Sequence, residues 1–205
     1  VICASLPVAV GRVASPFGWR WLNGQSDLHT GVDVGAPEGT PVYAMLPGRV
    51  VVAAPSGLLS GYGNAVVLEH GPTAFTLYAH LSRISVNEGQ QLIAGEQLGN
   101  VGRTAGTHDQ PDKLFSVDGA HLHIEFLDRW PPTAKDANRL DPGPILAQLG
   151  VIIPSKGQPI RAACAAGSSS PATSPSVPAR AAIGGAFVLI AAAAAYYAIK
   201  KRRSE

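Results

Sequence analysis

Short runs of hydrophobic residues, alternating with polar ones and broken by Gly and Pro, recur through most of the chain and predict β-strands joined by turns. The clearest is Gly119 to Phe126, G-A-H-L-H-I-E-F, whose period of two predicts a half-buried strand. Leu122, Ile124 and Phe126 then face a core, while His121 and His123 project together from the opposite face. Phe75 to Leu81 alternates likewise, placing Phe75, Leu77, Ala79 and Leu81 on one side and Tyr78 and His80 on the other. Glu38 to Ala44 and Pro47 to Ala53 read as short strands joined at a turn, with a looser echo at Glu88 to Ala94 and Gly95 to Val101; this predicts two related β-units packed on each other. Gly61-Tyr62-Gly63-Asn64 reads as a turn feeding the apolar strand Ala65 to Leu68.

The pattern changes near the C-terminus. A folded domain is expected over residues 12–153, after a short N-terminal segment, 1–11, that does not read as a complete signal peptide. Residues 154–180 form a Ser/Pro/Ala-rich linker, since a stretch such as Ala165 to Ala179 cannot bury a core. Residues 181–199 carry no charge and would make a helix of roughly 28 Å, close to the hydrocarbon thickness of a bilayer. Tyr196 and Tyr197 suit the interface, and Lys200 to Arg203 lie in a basic tail, 200–205, that the positive-inside rule assigns to the cytoplasm. The expectation is a single-pass membrane protein with its domain outside the cytosol, in a periplasmic, extracellular or virion-membrane setting; a buried Ala-rich core helix is the competing reading.

Composition supports an all-β domain: 46% hydrophobic, only 15% charged, with 23 Gly and 17 Pro in 205 residues. The formal charge of +2 is misleading until divided. Before residue 181 there are 12 Lys and Arg against 13 Asp and Glu, so the basic character belongs to the tail and no nucleic-acid surface is indicated. Cys3 and Cys164 bracket the folded part, either as a disulfide or as two thiols.

Candidate chemistry gathers on the predicted strands. His29 and Asp33 lie four apart in L-H-T-G-V-D-V-G, where Gly31, Gly35 and β-branched residues oppose a helix; in extended chain an even separation also keeps both on one side. They can converge on one ion, or simply share a hydrogen bond. His80, His121 and His123 add three imidazoles, which by themselves could be surface groups. A catalytic zinc wants three nitrogen or oxygen ligands and an open position for water, so five candidates leave histidines free for proton transfer. His70, before Gly71-Pro72, reads as a surface or structural imidazole, and His108 as part of a long polar loop over 103–118, which is either a groove cover, with Leu114 and Phe115 over one end, or a disordered insertion.

H-T-G-V-D, L-Y-A-H-L and G-A-H-L-H-I-E-F, in that order, resemble the lysostaphin-type zinc endopeptidases of peptidoglycan, family M23. The likeness covers roughly residues 12–147, including F-G-W-R, G-T-P-V-Y-A, G-R-V, G-Y-G-N and L-D-P. It implies that His29, Asp33 and His123 ligate Zn²⁺ and that His80 and His121 are unligated catalytic histidines. The implied fold is an antiparallel β-sheet core of duplicated hybrid or barrel-sandwich type with an open groove. The implied partner is a peptidoglycan peptide, with the lipid bilayer as a second partner through the C-terminal helix. The loop before the His-x-His strand is longer here than the family pattern. Two rivals remain: a non-catalytic wall-binding or regulatory module of the same fold, and a carrier domain, which would need a modifiable Lys at a hairpin tip that neither Lys113 nor Lys135 supplies.

Overall fold

Alternation of apolar and polar residues becomes an antiparallel sheet in the computed structural model, which describes residues 4–22, 24–59, 61–104, 119–134, 137–152 and 154–162. The predicted linker, membrane helix and basic tail, both cysteines, His108, Lys113, Lys135 and most of the 103–118 loop lie outside the described residues. Among the described residues no helix is long and apolar enough to cross a membrane.

In chain order the strands are β1 (Arg12–Ser15), β2 (Gly18–Leu22), β3 (Gln25–His29), β4 (Val32–Gly35), β5 (Pro41–Tyr43), β6 (Gly48–Ala54), β7 (Asn64–Gly71), β8 (Ala74–Ile84), β9 (Gln91–Leu92), β10 (Gln97–Val101), β11 (His121–Leu127) and β12 (Arg139–Leu140). Helix α1 (Pro142–Gln148) and the short pair β13 (Val151–Ile152) and β14 (Arg161–Ala162) follow. The main sheet runs β1-β4-β11-β8-β7-β6-β9, with β10, β5 and β12 attached beside this path and every pairing antiparallel. Asp141 starts α1 by accepting a hydrogen bond from the Gly143 amide at 2.9 Å, with Pro142 in the first helical position, where its missing N–H costs nothing. The helix packs Ile145 and Leu146 into the core, a short exception to the expected all-β chain.

The two β-units expected from the echo do pack on each other: β5 pairs with β10, and β6 pairs with β9. Their turns correspond hydrogen bond for hydrogen bond. The Gly39 amide donates to the Val101 carbonyl and the Val101 amide to Thr40; likewise the Gly89 amide donates to Val50 and the Val50 amide to Gln90, each at 2.8 Å.

Strand β11 is buried more fully than a half-exposed strand, because β4 and β8 flank it on both edges and both its faces are covered. Leu122, Ile124 and Phe126 join Val32, Val34, Tyr78 and Leu81 in the principal core. Leu127 joins Phe75, Leu77 and Ala79 in a smaller cluster on the reverse face. Strict alternation in β8 fails at one position. His80 has φ +61°, and the β7–β8 register shifts there, so His80 swings to the side of Leu77 and Ala79 while Leu81 returns to the principal core beside Tyr78. A regular strand would have aimed His80 at the core, where the Tyr78 hydroxyl accepts the Met45 amide at 2.9 Å.

His70 is structural. Its Nδ1–H donates to the Pro47 carbonyl at 2.7 Å and its Nε2 accepts the Thr76 hydroxyl at 2.8 Å. Burial favours the neutral ring and outweighs the Pro47 hydrogen bond, pulling the pKa down to about 4. The unfolded chain, with an ordinary histidine near 6.5, binds the proton first, so this group's contribution is full above about 6.5 and is lost as pH falls towards about 4. Urea midpoints measured across that range should fall with acid in the unmodified protein, and should fall less steeply in a His70→Gln variant.

Candidate metal centre

Register brings the site together. Within the β4–β11 pair, Asp33 stands directly opposite His123 and Gly35 opposite His121; across β8, Ala79 stands opposite His123. Residues directly opposite share a face, so the carboxylate and both imidazoles meet above small neighbours that leave room for the rings. His29 arrives separately, at the end of the β2–β3 hairpin, and Thr30-Gly31 carries the chain from it to β4. Only glycine fits at position 31. A Cβ there would lie 2.3 Å from the Ile124 carbonyl oxygen and 2.9 Å from the His123 ring.

Three ligand-type atoms converge. His29 Nε2 is 3.1 Å from Asp33 Oδ1 and 3.2 Å from His123 Nδ1, and His123 Nδ1 is 2.7 Å from Asp33 Oδ1. Two ligands of a tetrahedral zinc at about 2.0–2.1 Å would sit roughly 3.3 Å apart, so two imidazole nitrogens and one carboxylate oxygen at these separations fit that ion. Among the described residues these three are the one such group, and all are buried.

The second nitrogen of each ring is already committed to a fixed acceptor. His29 Nδ1–H donates to the Pro16 carbonyl at 2.7 Å, leaving Nε2 with a lone pair towards the centre. His123 Nε2–H donates to Glu125 Oε1 at 3.2 Å, leaving Nδ1 for the centre. His80 Nδ1–H donates to the Thr104 carbonyl at 2.7 Å and His121 Nδ1–H to the Gly119 carbonyl at 3.0 Å. The His80 and His121 rings lie 4.7 Å apart, and His121 Nε2 is 4.0 Å from Asp33 Oδ1. Gly63, at φ +63°, lets Thr104 approach; a Cβ there would lie 2.1 Å from the Thr104 oxygen that holds His80.

Charge follows from these contacts. Burial opposes ionisation of Asp33, but the hydrogen bond from His123 and the His29 ring beside it outweigh it and hold the carboxyl well below its usual range. Its other oxygen lies 3.9 Å from Arg20, which is held by Asp27 at 3.0 Å; Asp27, left without a role in the sequence reading, thus anchors that guanidinium. Burial disfavours a charged His123, yet Asp33 and Glu125 on its two sides raise it to about 9. His80 goes the other way, driven down to about 3 by burial and by its neighbours His121 and His123, so it is neutral near pH 7 with an Nε2 lone pair.

Glu125 and Thr104, which hold two of these rings, have no assigned role in the sequence reading, nor do Tyr62, Thr30 and Arg139, which hydrogen-bond Glu125 in turn. Only for Glu125 was there a local signal: as the third member of H-x-H-x-E it shares a strand face with both histidines.

An antiparallel sheet here holds two imidazoles and a carboxylate at one point, with two more histidines beside them, a donor set suited to a divalent metal. Residues 27–142, more than half of the chain, match the model of Peptidase family M23, and the chain belongs to that family. It is 40% identical over 121 residues to a DD-carboxypeptidase/endopeptidase of Neisseria meningitidis, covering 58% of this chain and 25% of the relative. It is 38% identical over 124 residues to a peptidoglycan DD-endopeptidase of Vibrio cholerae, covering 59% and 26%. The chain thus spans about a quarter of the length of these relatives. Among solved structures it is similar to the antimicrobial peptidase lysostaphin from Staphylococcus simulans, with a TM-score of 0.53, 27% identity, and coverage of 68% of this chain and 50% of that one.

An ion entering this centre must displace the proton that His123 Nδ1 shares with Asp33. The apparent affinity for a divalent ion should therefore fall roughly tenfold for each pH unit below about 9, with about one proton released per ion bound. Calorimetric titration in buffers of different ionisation enthalpy measures both quantities.

Proposed function

We propose that this chain is a membrane-anchored zinc endopeptidase that hydrolyses peptide bonds in peptidoglycan stem peptides or cross-bridges. The observation that carries the reading is the convergence of His29 Nε2, Asp33 Oδ1 and His123 Nδ1, with the opposite nitrogen of each ring bonded to a fixed acceptor. The family and the names of the relatives support the substrate class. An uncharged stretch over 181–199 followed by Lys200 to Arg203 supports the anchor, with the domain outside the cytosol and the linker giving it reach to a polymer beyond its own bilayer.

Zinc at His29, Asp33 and His123 would supply Lewis-acid chemistry, acidifying water and polarising the scissile carbonyl. The remaining steps belong to His80 and His121. Both have Nδ1 committed to a backbone carbonyl, so Nε2 is the working atom in each. One Nε2 takes a proton from the attacking water as the carbon–oxygen bond forms. Once protonated, such a ring becomes a cationic donor for the tetrahedral oxyanion, and its proton passes to the amine as the carbon–nitrogen bond breaks. The five side chains therefore divide into three that hold the ion and two that move protons.

His29→Ala and His123→Ala should lose both zinc and wall hydrolysis, whereas His121→Ala should keep most of its zinc and lose activity by about 10²–10⁴-fold. Metal analysis together with mass spectrometry of fragments from a defined peptidoglycan, with and without a chelator, measures this. Wall hydrolysis by zinc-free His123→Ala protein overturns the proposal. For the anchor, detergent but not high salt should release the full chain from membranes, and removal of 181–205 should make it extractable by buffer alone.

A further inference from the structure

On the side of His123 away from Asp33 lies a second buried polar cluster for which the proton-transfer chemistry has no use. Glu125 is completely buried at its centre. Its Oε1 accepts from His123 Nε2 at 3.2 Å, from the Tyr62 hydroxyl at 2.9 Å and from the Thr30 hydroxyl. Its Oε2 accepts from Arg139 Nε at 3.2 Å, and Arg139 Nη2 in turn donates to the Tyr62 oxygen at 2.8 Å. Arg139 can only donate, so Tyr62 accepts from it and passes its own proton towards Glu125; a carboxylate held by these donors offers only lone pairs to His123 Nε2.

We propose that Glu125 is the positioning residue for His123, fixing a proton on Nε2 so that the Nδ1 lone pair faces the ion, and that Arg139 and Tyr62 hold Glu125 in place. This rests on the metal-site reading above. Glu125 does not itself reach that ion: it bonds the ring nitrogen opposite the one nearest Asp33, and the Arg139 guanidinium occupies its far side. Once the ring has given up one of its two protons, the acceptor at Nε2 keeps the remaining one there; without it, that proton would stay on Nδ1 in the Asp33 hydrogen bond, presenting N–H instead of a lone pair to the centre. Through Thr30, the residue between His29 and Gly31, the same carboxylate also ties down the segment that sets His29 and Asp33 apart.

The test compares the unmodified full chain with Glu125→Gln, which keeps the shape but places an amide N–H against a ring of donors. Zinc affinity, read by competition with a chromophoric chelator, should fall about 10–100-fold. In ¹⁵N-histidine NMR of the zinc-loaded protein, the slowly exchanging His123 Nε2–H signal should be present in the unmodified chain and lost or shifted in the variant, a change that a merely structural role would not produce. Affinity within about twofold of the unmodified chain, with that signal unmoved, overturns the inference. Should Glu125→Gln fail to fold, Tyr62→Phe decides: it cuts the link to Arg139, and should weaken zinc several-fold and move the same resonance, whereas no change in either overturns the inference. An unmodified chain that takes up no zinc would overturn the metal-site reading itself, and this inference with it.

Discussion

The lateral register of β11 between β4 and β8 is the constraint on which the site depends. It places Asp33 and Ala79 on either side of His123. A slip of one residue would exchange the faces, sending His121 and His123 into the apolar core and Leu122, Ile124 and Phe126 to the site. Those three side chains are almost wholly buried, and at about 1.5–3 kcal/mol each the slipped pairing would lose several kcal/mol. The hydrophobic face of the strand thereby enforces the position of its polar face, and the site inherits its geometry from packing.

A site dense in imidazole has a second difficulty, since rings that attract protons cannot offer lone pairs. The fold answers it from behind. Pro16, Thr104 and Gly119 present backbone carbonyls, and Glu125 a carboxylate, so that each of four histidines has one nitrogen engaged away from the centre. Backbone carbonyls do this without adding charge; Glu125 adds a negative charge and is matched by Arg139. Asp33 is balanced more loosely, by Arg20 at the edge of the hairpin.

Much of this was legible in the sequence, for reasons that can be named. Strand β11 could be read because its alternation is uninterrupted. The β5–β6 and β9–β10 units could be read because equivalent turns require equivalent glycines, Gly39 and Gly89, both in left-handed conformations. The motifs carrying His29, Asp33, His80, His121 and His123 marked the candidate residues, but spacing alone gave no pairing register and hence no distances. The side to which His80 turns was beyond alternation, because a bulge changes parity without any Gly or Pro to announce it. Tyr62, Thr30 and Arg139 were silent for a different reason. Their roles come from long-range convergence on Glu125, and each reads locally as an ordinary turn, loop or strand residue.

The bulge at His80 restricts what this position can become. A left-handed φ of +61° is poorly tolerated by side-chain-bearing residues, least of all β-branched ones, while glycine, asparagine and aspartate adopt it more readily. The backbone requires that conformation to return Leu81 to the core, whether or not an imidazole stands at position 80. Were selection for the imidazole relaxed, drift at this site would be channelled towards those few residue types, so the lost side chain would leave a trace in the main chain.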